Sequence, residues 1–154
     1  MVREEGFQHA RTIINLRGSP SADPFRLRTT LQFYPHRRSV YVKNYLKFGE
    51  WPRRSALFLD TVLHADLPGR PEAMLDRVCA QGGVFRLWGH SSEIETFGGW
   101  EILYRFLRYA GARIPKQRHS NGTLVAELAR STARPWGSAA AASGARPEPV
   151  RRRT

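Results

Sequence analysis

Apolar residues recur at three- and four-residue spacing through most of the chain beyond residue 39, which predicts helices separated by Gly- and Pro-marked turns. Val42, Tyr45 and Leu46 set a helix over 39–47, broken by Gly49 and Pro52. Pro52 suits the first turn of a second helix over 53–64, striped by Leu57, Phe58, Val62 and Leu63. Pro68-Gly69 is a turn, and Pro71 to Ala80 is a third helix with Met74, Leu75 and Val78 on one face, ended by Gly82-Gly83. The clearest amphipathic helix is Trp100 to Ala110. Trp100, Leu103, Tyr104, Leu107 and Ala110 form its stripe, and Gly111 reads as its C′ residue. Ser120-Asn121-Gly122 is a turn before a short helix over Thr123 to Arg130.

Two runs read as strands, Ala10 to Ile14 and Val84 to Trp88. Residues 90–99, between the second strand and the helix at Trp100, read as a loop. Residues 17–39 read as a longer loop, because Gly18, Pro20, Pro24 and Pro35 forbid long regular elements. Its Phe25, Leu27, Leu31, Phe33 and Tyr34 imply a packed loop rather than a disordered one. Near the start, Gly6-Phe7 reads as a helix stop, a C′ glycine followed by an apolar C″ contact, with only Met1 to Glu5 before it. So short a helix is not stable alone. Either the element begins upstream, or this is a frayed turn docked on the core. From Ser131 onward Ala, Gly, Pro, Ser and Arg dominate, and 131–154 is expected to be a disordered basic tail.

At 154 residues one domain is expected, 1–130, with enough aromatic and aliphatic residues for a core. The net charge of +12 is unevenly placed: residues 113–154 hold nine basic and two acidic side chains. Non-specific attraction to polyanions follows. A nucleic-acid reader also uses aromatic stacking platforms, and the tail offers only Trp136, so a basic nucleic-acid-binding protein is the alternative reading. The single cysteine, Cys79, excludes an intrachain disulfide and is expected to be a small core residue. No run approaches the ~18 apolar residues of a membrane span. No apolar signal segment is visible, and a cytoplasmic protein is expected.

Strand, loop and helix at 84–110 form the unit most suggestive of chemistry. Ligands of parallel α/β folds bind beyond the carboxyl ends of the strands, and His90 lies just past the end of the second strand. An imidazole there can serve as a general acid or cap the strand end. Glu93 and Glu95 follow in the same segment. They are read as solvated loop positions, since a glycosidase pair needs a set geometry across a sugar ring. His9, His36, His64 and His119 are scattered, and Arg37 and Arg38 beside His36 disfavour a metal ion. No metal site and no cofactor is expected in this chain. Phosphate-binding Gly-rich loops and the Gly-x-Ser-x-Gly elbow are absent from the sequence.

The segment Phe85-Arg86-Leu87-Trp88-Gly89-His90-Ser91-Ser92-Glu93-Ile94-Glu95, followed by Trp100-Glu101, resembles the last conserved motif of the polysaccharide deacetylases, the family of the nodulation-protein-B homology domain. Ser92 stands where an aromatic is usual. Glu5-Gly6-Phe7 with Ala10-Arg11-Thr12, then Asp23-Pro24-Phe25-Arg26-Leu27 with Thr29-Thr30, and finally Ser120-Asn121-Gly122, are similar to further family segments in the same order. Together they cover about residues 3–128. The resemblance implies an α/β fold, part of a distorted (β/α) barrel of the glycoside hydrolase/deacetylase type. It also implies hydrolysis of an N-acetyl or related amide on a carbohydrate or small molecule. By matching position His90 is the expected catalytic acid, and Leu87 and Trp88 are expected to contact substrate. In the family a divalent metal such as zinc is held by an Asp and a His-x-x-x-His pair upstream of the matched region. This sequence has neither an Asp-Asp pair nor a His-x-x-x-His. A truncated, inactive C-terminal portion is therefore expected, with open apolar edges.

Overall fold

The computed structural model describes residues 4–21, 23–114, 116 and 118–132. The fold is mixed α/β, mostly helical with a small parallel sheet. A 3-10 turn at Pro24–Arg26 precedes β1 (Leu31–Gln32). Then come α1 (Arg38–Phe48), α2 (Trp51–Leu63), α3 (Gly69–Gln81), β2 (Leu87–Trp88), α4 (Ser91–Thr96), α5 (Trp100–Arg113) and α6 (Asn121–Thr132). β1 and β2 are parallel, with Leu31 opposite Leu87 and Gln32 opposite Trp88. The stretch expected as a first strand makes one isolated parallel bridge, Arg11 to Leu27. Beyond it, Leu16 N and Arg17 N donate to the carbonyls of Thr30 (2.9 Å) and Thr29 (3.1 Å), just ahead of β1.

Several expectations are corrected. The segment read as a loop over 17–39 contains β1, because Leu31-Gln32-Phe33 alternates apolar and polar residues at the two-residue period of a half-buried strand. Only Leu87–Trp88 of the 84–88 run is strand. The loop expected over 90–99 holds α4, whose Ile94 is buried beside Phe33 and Leu67. Gly111 lies inside α5 rather than beyond it. Phe7 is exposed, so the apolar contact expected after Gly6 is not made, although Gly6 has the positive φ of a helix stop (78°). Residues 133–154, most of the expected tail, lie outside the described residues.

The core has two lobes. Leu16, Leu31, Tyr41, Leu57, Met74 and Val78 form the larger, and Phe33, Leu67 and Ile94 form the smaller. Leu87 packs against both and joins them. Helix ends inside this core need partners for their last carbonyls. Two fully buried arginines supply them. Arg54 donates to the carbonyls of Asn44, Tyr45 and Gly49 at the end of α1. Arg70 donates to those of His64 and Ala65 just past α2, and to the Tyr41 hydroxyl. α3 is tied to α2 by a two-bond fork from Arg77 to Asp60 and to α5 through Asp76, which accepts from Tyr109 and Arg113. Gly82 ends α3 in the left-handed region (φ 66°). At Gly83 a Cβ would lie 2.2 Å from the Gly18 carbonyl oxygen, so only glycine lets the chain pass there into the 84–88 run.

Of the expected α5 stripe Leu103 packs against the smaller core lobe, while Trp100, Tyr104 and Leu107 are exposed; the buried residue is Phe106, which tilts against Phe85. Leu46, Leu59, Leu63 and Ile13 are likewise exposed. No helix among the described residues is long and apolar enough to cross a membrane.

Arg70→Met is expected to lower stability by about 3 kcal/mol, because it strands two carbonyls and a hydroxyl in the core. Urea unfolding followed by circular dichroism measures it, and Arg70→Lys, which lacks the planar fork, is expected to recover less than half of the loss.

Candidate functional site

The carboxyl ends of β1 and β2 bring together the side chains with the greatest chemical potential. In parallel strands, residues opposite each other share a face, so Leu31 and Leu87 lie on one side and Gln32 and Trp88 on the other. Leu87 faces the helices and joins the two core lobes. Of the two residues expected to contact substrate, Trp88 therefore shares the face of Gln32, and Leu87 is a packing residue.

Trp88 is half-buried. The Arg11 guanidinium sits 4.7 Å from its ring centroid, and the His90 ring meets it edge-on at 5.1 Å and 85°. His90 is exposed and occupies the N-cap of α4, where its carbonyl accepts from Ile94 N (3.0 Å). Its side chain makes no capping bond. The imidazole is held by its backbone and by the Trp88 ring and is open to solvent.

A second group stands alongside. Gln32 donates from Nε2 to Glu93 Oε2 (3.3 Å), and its Oε1 lies 3.1 Å from His36 Nε2. An amide oxygen only accepts, so in this arrangement His36 carries its proton on Nε2. Tyr34 and Tyr41 flank the His36 ring at 4.6 and 5.9 Å. Burial holds the imidazole below its ordinary pKa; Glu93 opposes this and Arg70 adds to it. The cations expected to act on His36 from sequence, Arg37 and Arg38, are exposed and are not what shifts it. The cation that matters comes from α3.

Sequence reasoning missed Gln32 because its strand was taken for loop, and it underrated Glu93 because the first turn of α4 was taken for loop too. The alternation around Gln32 was the available signal. The other histidines do not join this group. His64 caps α2 and His9 lies near the N-terminus. His119 lines a cavity elsewhere. Among the described residues no three His, Cys, Asp or Glu side chains converge on a point that could hold a metal ion. Cys79, expected in the core, is half-buried at that same cavity.

No family model, no curated protein and no solved structure matches the chain.

A pH dependence follows from His36. Its pKa is lower in the folded chain than the unperturbed 6.5, so between the two values the unfolded chain binds more protons. The stabilisation is complete above about pH 6.5 and is lost as pH falls through the folded pKa. Urea midpoints of the wild-type chain are expected to drop on acidification below that point more than those of His36→Gln.

Proposed function

We propose that the chain is a C-terminal portion of a polysaccharide-deacetylase-like hydrolase, acting on the C–N bond of an N-acetyl or related amide on a carbohydrate. The observation that carries the reading is the position of His90: exposed, uncapped, and against Trp88 just beyond the carboxyl end of a parallel strand. Active sites of parallel (β/α) folds occupy that end. The order of the family-like segments around it supports the same reading.

On this reading His90 protonates the departing amine nitrogen as the tetrahedral intermediate collapses. The amine leaves as a neutral group rather than as an amide anion. Trp88 offers a flat apolar ring, which suits the face of a sugar, and Arg11 lies over that ring. Gln32, held between Glu93 and His36, presents a fixed amide beside it. The family's divalent metal would polarise the carbonyl and activate water. The described residues do not fit that metal, since no ligand cluster exists among them, and no step is assigned to it here. Its ligands would come from further barrel strands. The exposed apolar faces of α2 and α5 and the exposed Ile13 agree with a fold that continues beyond these elements.

The test is complementation. The chain is fused behind, or mixed with, a barrel half that carries the Asp and His-x-x-x-His ligands, and acetate release from an N-acetyl oligosaccharide is followed with Zn²⁺ or Co²⁺. Turnover is expected only in the complemented protein, and His90→Ala is expected to reduce it by about 10²–10⁴-fold. Near-normal turnover in that variant would remove His90 from the role of acid.

A further inference from the structure

α1 turns two different faces to its surroundings. Tyr41 is buried in the larger core lobe, and Tyr45 stacks on Phe58 at 4.2 Å. On the outer side Arg38, Val42 and Leu46 stand one above another at four-residue spacing, and Lys43 and Lys47 form the next row. All five are exposed, Leu46 by 60%. Apolar residues therefore lie on both sides of this helix, and the core uses only the inner set. Just past its end Trp51 is 52% exposed, and its indole N–H donates to the Tyr45 carbonyl (3.2 Å), which fixes the ring against the last turn of α1. Arg53 follows, exposed, in the first turn of α2. Glu50 is the one carboxylate between residues 37 and 59, and Arg17 engages it. Arg38, Lys43, Lys47 and Arg53 make no ion pair among the described residues. The outer face of α1 is thus cationic and apolar together, with no acid of its own left to answer it.

We propose that this face is a peripheral docking surface for an anionic phospholipid bilayer, with α1 lying along the headgroups. Lysine stems run along apolar surface while their ammonium groups reach outward. Lys43 and Lys47 can then meet lipid phosphates and carboxylates while Val42 and Leu46 enter the boundary beneath them. Trp51 suits the same depth: its N–H is already bonded inside the protein, and indole rings settle between headgroup and acyl chain. A nucleic acid would answer the cations equally well, but it offers nothing to an exposed valine and leucine. The aliphatic pair is what selects a bilayer. Docking of this kind needs no spanning segment, and no helix among the described residues is long and apolar enough to be one. The face shares no residue with the groups around His90 and Gln32, so it stands apart from the deacetylase reading.

The full chain is sedimented with vesicles of phosphatidylcholine alone and with vesicles that also contain about 30% phosphatidylserine, at physiological salt. Saturable binding is expected only to the second kind. Lys43→Gln with Lys47→Gln is expected to weaken it by about 25-fold, about fivefold for each cation near a charged surface. Leu46→Gln keeps the charge and is expected to weaken it by about fivefold through lost apolar burial. Both variants alter exposed positions and are expected to keep the wild-type circular dichroism spectrum and melt. Wild type and variants carry the same arginine-rich C-terminal residues, so the differences report α1. Equal binding to the two kinds of vesicle overturns the assignment, as does binding to neither. Vesicle binding that the lysine or the leucine substitution leaves unchanged overturns it too. Lysine substitution that weakens binding to a short DNA duplex while vesicle binding stays intact assigns the face to a nucleic acid instead.

Discussion

One buried hydroxyl holds the sheet region together. Thr30 is fully buried, and its Oγ1 donates to the Arg17 carbonyl (2.7 Å) while accepting from Arg86 N (3.0 Å). Its backbone N–H donates to Arg86 O, and its carbonyl accepts from Leu16 N. A hydroxyl has one proton and two lone pairs, so it can serve a strand on each side at once. A two-residue parallel pairing is too short to fix register by its ladder alone. Here register comes from Thr30, with Gly83 passing close to the Gly18 carbonyl. If β1 slipped by one position against β2, Leu31 would leave the core and Gln32 would enter it. The position of His90 beyond Trp88 therefore follows from a contact near the start of the strands.

The helical layer depends on a different device. α1 and α2 both end within the protein, where unpaired carbonyls would be costly, and each end is closed by a buried guanidinium from the next element in the chain. The helix C-terminus carries partial negative charge, so a cation can be satisfied there without a carboxylate. The arrangement crowds positive charge. Burial lowers the pKa of Arg17 to about 10, with Arg28, Arg54 and Arg53 contributing. Glu50 answers this by pairing with Arg17, and it does so from a left-handed backbone (φ 52°) that a non-glycine residue seldom adopts. The strain at the start of α2 and the ion pair are parts of one solution.

The helices were legible because propensity, punctuation and burial agree in them. Pro52 stands in the first turn of α2, and Gly82 turns left-handed after α3. α5 was legible as a helix but not as to its buried face. Periodicity picked Trp100, Leu103, Tyr104, Leu107 and Ala110; of these Leu103 packs against the smaller core lobe while Trp100, Tyr104 and Leu107 stay exposed, and the buried residue is Phe106. β1 was hidden because two strand residues between prolines and threonines resemble a loop. Its partner, 56 positions away at Leu87, is set by tertiary contact that no local pattern carries. The candidate site divides the same way. His90 was readable from its place after a strand and Trp88 was named through the family resemblance, while Gln32, His36 and Glu93 converge only through the fold.

The buried arginines also change how the net charge should be read. Arg54 and Arg70 are fully enclosed and bonded to carbonyls, and Arg17 is buried against Glu50. Arg77 and Arg113 are engaged by Asp60 and Asp76. None of these is free to neutralise a phosphate without giving up a partner inside the chain. A polyanion is bound by counterion release at exposed cations, and of the uncompensated charge in the chain's net +12 the enclosed Arg54 and Arg70 are not available to one. Arg54 and Arg70 belong to folding, as the means by which α1 and α2 end inside the protein. What the surface does concentrate is apolar: the outer faces of α2 and α5 and the indole beside His90.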